Sequence, residues 1–204
     1  TDPECGTLTI GIAEKGLSAH ESLLFAKYQM YRNVYWHHAV RSATAMYKRL
    51  VDGALRAGSL DAQTLASFTD EGLLHEMERR APTPLLAALH QRRLYKRVFE
   101  CPAAELAPGA GEWIADDRPL VVAAEDQLAR HFGLAPGELL LDYPTKTEML
   151  GLDIPVLRRD GQVRRLTAEG WEGAINLPKL SEELYGSARW LRIFACRKLS
   201  VSRA

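Results

Sequence analysis

The longest regular pattern in the sequence is helical and extends from Glu21 to about Ala57 without a proline. Its apolar residues recur every three or four positions, which is the spacing that places side chains along one face of a helix. They include Leu24, Tyr28, Tyr31, Tyr35, Ala39, Ala43, Met46 and Leu50. Ser18 and Glu21 have the spacing of a capping box at a helix start, and Gly58 marks the end. The pattern therefore predicts one long helix in the first half of the chain.

Shorter elements follow this helix, and the periodicity changes near residue 94. Helices are predicted over 70–80 and from Thr83-Pro84, a typical N-cap and N1 pair, to about Arg92. The later residues predict strands at 94–101, 138–143 and 190–195, helices at 123–132 and 179–185, and a hairpin of 156–159 and 163–166 around Asp160-Gly161. The predicted fold class is therefore α+β, with a helical part over residues 1–93 and a ferredoxin-like α+β unit over residues 94–204.

Charge and composition exclude several classes of partner. The 204 residues carry 26 Lys and Arg against 26 Asp and Glu, so electrostatics give no reason to expect a nucleic acid or an acidic membrane. No apolar run reaches the roughly 18–20 residues that span a bilayer. Cys5, Cys101 and Cys196 are odd in number and widely spaced, which argues against disulfides and zinc and fits the cytoplasm. Because the first residue is Thr1, we expect the chain to be a fragment of a longer protein.

The segment 26–38 concentrates three tyrosines, a tryptophan, two histidines and two basic residues in 13 positions. Lys27, Tyr31 and Tyr35 are four residues apart, so on a helix they share one face and span about 12 Å. A cation followed by phenol rings along such a line can hold a phosphate at one end and a sugar or base at the other. A tyrosine stripe at this spacing is also common in a hydrophobic core, and the spacing leaves both interpretations open. The adjacent His37 and His38 cannot both face one metal ion.

Much of the chain resembles HD-superfamily dNTP triphosphohydrolases, both the bacterial proteins and the vertebrate enzymes with SAM and HD domains. The likeness lies in Glu14–Leu17, Leu23–Tyr31, Val34–His38, Arg92–Val98 and Arg189–Ala195. It implies that residues 1–93 are the C-terminal helical part of an HD region. It also implies hydrolysis of a deoxynucleoside triphosphate to a deoxynucleoside and tripolyphosphate.

The resemblance also implies where the catalytic metal ion binds. In the family, the HD motif holds a divalent metal ion that activates water or polarises the α-phosphate. Its ligands are expected upstream of Thr1. The resemblance therefore places neither a catalytic residue nor a metal ligand in this chain, and the chain alone is predicted to be inactive.

Three positions on the long helix match the substrate-binding residues of the family. Lys27 matches an arginine that binds the triphosphate, and it keeps the charge but loses the planar guanidinium fork. Tyr35 matches a tyrosine that packs beside the deoxyribose and leaves no room for a 2′-hydroxyl. Tyr31 stands where the family has a histidine near the scissile phosphate. A phenol with a pKa near 10 is a poor proton donor at pH 7, so this departure affects the leaving-group chemistry.

The resemblance extends to regulation by nucleotides. Lys15, His37, Arg92 and Lys96 resemble residues that contact GTP or a dNTP bound between subunits, which implies a homo-oligomer, either a dimer or a tetramer. Ala13 stands where the vertebrate enzymes have an arginine, so the nucleotide preference does not transfer. A charged edge strand exposed to solvent is the alternative for the basic run 92–97. A nucleotide-sensing module without hydrolytic activity and a purely structural domain are the two alternatives for the whole chain.

Overall fold

The computed structural model describes residues 6–145, 154–166, 171 and 176–199. The chain forms two units, the first from residues 1–36 and 145–189 and the second from residues 37–144 and 190–204. This division does not coincide with the predicted boundary at residue 93, which lies inside the second unit. The reason is that the last strand of the chain pairs with strands from the middle of the sequence, so each unit is built from two separate segments.

The first unit combines helices with a small sheet. Its elements are β1 (Ile12–Ala13), a 3-10 turn (Glu14–Gly16), α1 (Leu17–Met30), a π turn (Tyr31–Tyr35), β4 (Pro155–Leu157), β5 (Val163–Arg165) and α8 (Leu177–Ala188). β4 is the central strand, parallel to β1 and antiparallel to β5. A Cβ on Gly11 would lie 2.7 Å from the carbonyl oxygen of Pro155, so this approach of the chain to β4 requires glycine. The predicted hairpin of β4 and β5 is confirmed, with Gly161 at φ +83° in its turn.

The prediction of one helix from Glu21 to Ala57 is wrong. Helical structure stops at the π turn, and α2 (His38–Arg56) begins after His37, whose backbone is extended. The predicted capping box is not formed either, because α1 starts at Leu17 with Gly16 as its N-cap, which places Ser18 inside the helix. The apolar spacing continues across the break, so periodicity alone does not reveal it.

The second unit packs helices on both faces of an antiparallel sheet. The remaining elements are α3 (Ala62–Leu65), α4 (Asp70–Arg80), α5 (Pro84–His90), β2 (Lys96–Pro102), a 3-10 turn (Ala103–Glu105), α6 (Trp113–Asp116), α7 (Arg118–His131), β3 (Leu139–Asp142) and β6 (Trp190–Ala195). β6 lies between β2 and β3. Because side chains alternate along a strand, Leu140 joins Met46 of α2 in one core, whereas its neighbour Leu139 joins Ala129 of α7 in another.

The α+β class predicted from the sequence is confirmed, with one difference in strand pairing. The hairpin of β4 and β5 pairs with β1 in the first unit, so it does not extend the sheet of β2, β6 and β3 as a ferredoxin-like arrangement would. α4 and β6 have the predicted bounds, and α5 starts at the predicted cap, where Thr83 Oγ1 accepts the N–H of Leu86 at 3.1 Å. α8 continues past Gly186, so the predicted stop there is wrong.

Buried ion pairs connect α2 to the rest of the second unit. Arg41 donates to the carboxylate of Asp142 at the end of β3, and Asp142 is only 4 % exposed. Arg49 donates to Glu125 at 3.1 Å and to Asp126 at 2.7 Å, both on α7. Burial raises the pKa of Glu125, while the N–H of Leu141 and the nearby arginines oppose that shift. These pairs hold α2 against β3 and α7, in the unit that contains two of the cavities described below.

Candidate functional site

The helix that carries the predicted substrate-binding residues ends in the π turn. The N–H of Trp36 donates to the carbonyl of Tyr31 at 2.7 Å, which is the i to i−5 bond of a π turn. The rings of Tyr31 and Tyr35 lie 5.1 Å apart, and Tyr31 meets Trp36 edge to face at 5.8 Å. Tyr31 and Tyr35 therefore share one face, as their spacing predicts. π turns of this kind are frequent at functional sites.

Solvent exposure differs among the aromatic residues of this segment. Tyr35 is 52 % exposed, Tyr31 is half-buried and Trp36 is buried. The ring of Trp36 packs against Tyr185 of α8 with 6.0 Å between centroids. Lys27, one helical turn before Tyr31, is exposed. The first unit thus presents a cation and two phenol rings at its surface, with a buried tryptophan in contact with Tyr31.

Arg32 is a further cation of this segment, and the sequence pattern assigns no role to it. Its guanidinium group donates to the hydroxyl of Tyr28 at 3.2 Å, and that hydroxyl lies 3.3 Å from Ser187 Oγ. Tyr28 is buried, so its hydroxyl holds an otherwise exposed cation at the edge of the core. The four-residue spacing from Tyr28 to Arg32 is the signal in the sequence that predicts this contact.

Lys15 lines a cavity of ≈ 350 Å³ in the first unit. Residues 158–160, at the turn of the hairpin, line the same cavity. Glu14 holds them there, because its carboxylate accepts the N–H of Arg159 at 3.2 Å and the Nε1–H of Trp171 at 3.3 Å. The structure therefore brings two arginines, which the sequence analysis does not single out, to the predicted nucleotide-binding residue Lys15.

His37 serves as the N-cap of α2. Its Nδ1 accepts the N–H of Ala39 at 3.4 Å, and its ring lies 4.2 Å from the ring of His38. The side chain of His37 is exposed, whereas His38 is half-buried and lines a cavity.

That second cavity, of ≈ 570 Å³, brings together Arg92 and Lys96, two of the predicted regulatory residues. His38, Arg97 and Lys198 line it too, and its described lining contains no acidic residue. Arg92 lies close to the predicted end of α5 and precedes β2, so an edge strand through residues 92–95 is not formed. It follows the end of α5 in the left-handed conformation with φ +54°, which favours glycine. A concave surface with this excess of positive charge suits a polyanionic ligand.

The pKa of His38 is lowered from its ordinary value. Burial is the main cause, and electrostatic repulsion from the neighbouring His37, Arg97 and Arg192 lowers the pKa further. The imidazole is therefore neutral near pH 7. An anion bound in the ≈ 570 Å³ cavity would favour the protonated form, so binding there would be accompanied by proton uptake.

The part of the chain that the structure describes offers no fit for a divalent metal ion. No group of three or more His, Cys, Asp or Glu residues among 6–145, 154–166, 171 and 176–199 is arranged to hold one. No helix among the same residues is both long and apolar enough to cross a membrane. The described surface therefore supplies cations and aromatic rings for binding an anion, and no metal centre.

Residues 7–169 match the model of a family described as the HD associated region. An uncharacterized protein of Methanocaldococcus jannaschii is 35 % identical over 130 residues, which cover 63 % of this chain and 28 % of that protein.

Two solved structures share the fold at low sequence identity. A phosphohydrolase from Bacteroides thetaiotaomicron has a TM-score of 0.53 and 14 % identity, over 92 % of this chain and 52 % of that one. A hypothetical protein from Aquifex aeolicus has a TM-score of 0.52 and 20 % identity, over 93 % of this chain and 44 % of that one. The chain thus spans between 28 % and 52 % of the length of these proteins.

Proposed function

Because the chain belongs to the HD associated region family, we propose that it works as the C-terminal part of an HD-superfamily phosphohydrolase that hydrolyses dNTPs. The products would be a deoxynucleoside and tripolyphosphate. The observation that carries the proposal is the line of Lys27, Tyr31 and Tyr35 at the surface of the first unit. This line offers a positive charge at one end and an exposed aromatic ring at the other.

The chemistry of these three side chains suits a deoxynucleotide. Lys27 would bind the triphosphate as a point charge. Tyr35, whose ring is 52 % exposed, would pack against the deoxyribose, and a ring in contact with C2′ leaves no space for a ribose hydroxyl. Tyr31 would support the ring of Tyr35 at 5.1 Å and place its own hydroxyl near the phosphates.

Exposed apolar side chains of α1 and of the π turn support an active site that includes further polypeptide. Leu23 is 62 % exposed, and Phe25, Met30 and Val34 are each 46–50 % exposed. An apolar surface of this kind marks a contact with further polypeptide. We infer that it packs against the HD domain, so that Lys27 and Tyr35 face a metal site contributed by that domain. The divalent metal ion, when bound there, would supply the Lewis acid for hydrolysis.

Regulation by GTP or a dNTP is proposed for the residues that resemble the family's regulatory contacts. Arg92 and Lys96 line the ≈ 570 Å³ cavity of the second unit, where a triphosphate would meet several cations. Lys15 lies in the ≈ 350 Å³ cavity of the first unit, and the exposed His37 would stack against a base. Binding between subunits would produce a homo-oligomer, and we propose the cytoplasm as its location.

The second candidate function is a nucleotide-sensing module without hydrolysis. The observation that favours it is Tyr31, a phenol at the position where the family has a histidine.

Tripolyphosphate release by the intact protein, with each dNTP and a divalent metal, separates the two functions. Lys27→Ala and Tyr35→Ala are expected to reduce kcat/KM at least tenfold, whereas Gln29→Ala, an exposed residue of the same helix, leaves it unchanged. A nucleotide-induced rise in Tm without tripolyphosphate release would support the sensing module. The absence of both would contradict both functions.

A further inference from the structure

The second unit holds a groove of ≈ 950 Å³ with an apolar floor. Small residues of α2 and α5, and of the chain just after α2 and α4, form much of its lining, namely Gly53, Ala54, Ala57, Ala81 and Ala88. The buried floor is made of Ala54 together with the larger Leu50 and Met77. Because small side chains leave space that larger ones would fill, the groove has the volume and lining of a small-molecule site.

The mouth of this groove carries positive charge. Arg92, Arg93 and Lys96 line it and are all exposed. Arg49 lines it as well, but its charge is already paired with Glu125 and Asp126. The positive charge available to a ligand therefore lies with Arg92 and Arg93, which follow α5, and with Lys96, the first residue of β2.

Polar side chains in the groove are engaged within the protein. Thr83 Oγ1 accepts the N–H of Leu86 at 3.1 Å, and the Tyr95 hydroxyl donates to the carbonyl of Gly137 at 3.1 Å. The carboxylate of Glu138 accepts the N–H of Ala135 at 2.8 Å. A nucleobase needs hydrogen bonds along its edge and would meet alanines and glycine here, whereas a hydrocarbon chain loses nothing on the same surface.

We propose that the groove binds a small amphiphilic anion, with its alkyl chain on the floor and its carboxylate or phosphate headgroup at Arg92, Arg93 and Lys96. This assignment does not depend on the proposed phosphohydrolase function. Arg92 and Lys96 also line the ≈ 570 Å³ cavity, so an amphiphile and a regulatory nucleotide would share two cations. The apolar floor lines the groove and not the ≈ 570 Å³ cavity. An affinity that rises with the length of the alkyl chain therefore indicates an amphiphile bound in the groove.

Titration calorimetry of the 204-residue protein with octanoate, decanoate and dodecanoate, each below its micellar concentration, tests the proposal. Each methylene group that enters the groove is expected to tighten binding about fourfold. Decyltrimethylammonium has ten chain carbons, as decanoate has in all, but carries a positive headgroup. It is expected not to bind. Comparison of dodecyl phosphate with dodecanoate then identifies the headgroup that the three cations prefer. Affinity independent of chain length, or equal binding of the cationic amphiphile, would overturn the proposal.

Two substitutions locate the ligand without unfolding the protein. A Cβ on Gly53 meets nothing within 4 Å, so Gly53→Phe fills the groove from an open position on α2, and Gly53→Ala is its matched control. Gly53→Phe is expected to weaken dodecanoate binding at least tenfold and Gly53→Ala less than twofold. Arg92→Gly suits the left-handed backbone at φ +54° and removes one headgroup contact, so the affinity for all carboxylates falls while the dependence on chain length remains. Unchanged dodecanoate binding by Gly53→Phe would place the ligand elsewhere and refute the assignment.

Discussion

The N–H of Trp36 donates to the carbonyl oxygen of Tyr31 at 2.7 Å, and the rings of the two residues meet edge to face at 5.8 Å. This bond closes the π turn. It leaves Trp36 buried against Tyr185 of α8 while the preceding residue, Tyr35, remains 52 % exposed. Trp36 thus packs in the core while its neighbour Tyr35 lies at the surface, and substitutions distinguish these two roles.

Trp36→Ala is expected to lower the free energy of unfolding by about 3–5 kcal/mol, because it removes a buried indole and leaves a cavity. Tyr35→Ala, at an exposed neighbouring position, is expected to change it by less than about 1 kcal/mol. Urea unfolding followed by circular dichroism measures both. A loss of less than about 1 kcal/mol for Trp36→Ala would show that the core does not depend on Trp36.

Lys27→Arg is expected to bind dNTPs more tightly than the natural protein, since a guanidinium group contacts two phosphate oxygens at once. The nucleotide-induced increase in Tm of the intact protein should rise for Lys27→Arg and disappear for Lys27→Ala. Gln29→Arg places a guanidinium group at another exposed position of the same helix and serves as the control. An equal gain from Gln29→Arg would mean that the position of the guanidinium group at residue 27 does not matter.

Arg92→Gly is expected to raise the free energy of unfolding by roughly 0.5–1 kcal/mol, because a side chain at φ +54° is strained and glycine is not. Arg93 does not have a positive φ, so Arg93→Gly should lower the free energy of unfolding instead. Denaturant midpoints at equal m-values give the comparison. Destabilisation by Arg92→Gly would indicate that the arginine side chain makes contacts worth more than the strain.

The lowered pKa of His38 gives the stability a defined dependence on pH. The unfolded state takes up a proton near pH 6.5, whereas the folded state does so only at lower pH. The stability associated with neutral His38 is therefore present above about pH 6.5 and is lost as the pH falls through 6.5 toward the lower pKa of the folded state. His38→Gln should reduce this loss, and His131→Gln, at an exposed position, serves as the control. Unfolding at pH 7.5, 6.5 and 5.5 provides the slopes, and identical slopes for His38→Gln and the natural protein would contradict the assignment.

Under the proposed function, tripolyphosphate release is expected from this chain joined to an HD domain and not from these 204 residues alone. The described residues form no group of metal ligands, and hydrolysis in the proposed mechanism needs a metal site from the HD domain. The assay uses dNTP with added Mg²⁺ or Mn²⁺, and heat-denatured protein gives the background. Metal-dependent activity that copurifies with the 204-residue chain through successive columns would refute the proposal that the HD domain supplies the metal site.

Local sequence determined the elements whose start and end signals lie within a few residues of each other. Thr83-Pro84 caps α5, Asp160-Gly161 forms the turn of the hairpin, and β6 covers the apolar run 190–195 that predicts it. In each case the deciding interaction is a cap, a turn or a run of apolar residues, which a short peptide already contains. The cationic character of residues 92–97 was equally evident from the sequence.

Tertiary structure alone decided where the long helical pattern breaks and which strands pair. The spacing of apolar residues continues through Tyr35, yet Trp36 turns inward because α8, more than 140 residues later, offers Tyr185 as a partner. The hairpin pairs with β1, and β6 enters the centre of a sheet whose other strands lie far upstream. Such choices depend on contacts between distant segments, which no local pattern encodes, and the same contacts bring Arg92, Lys96 and Lys198 to one cavity.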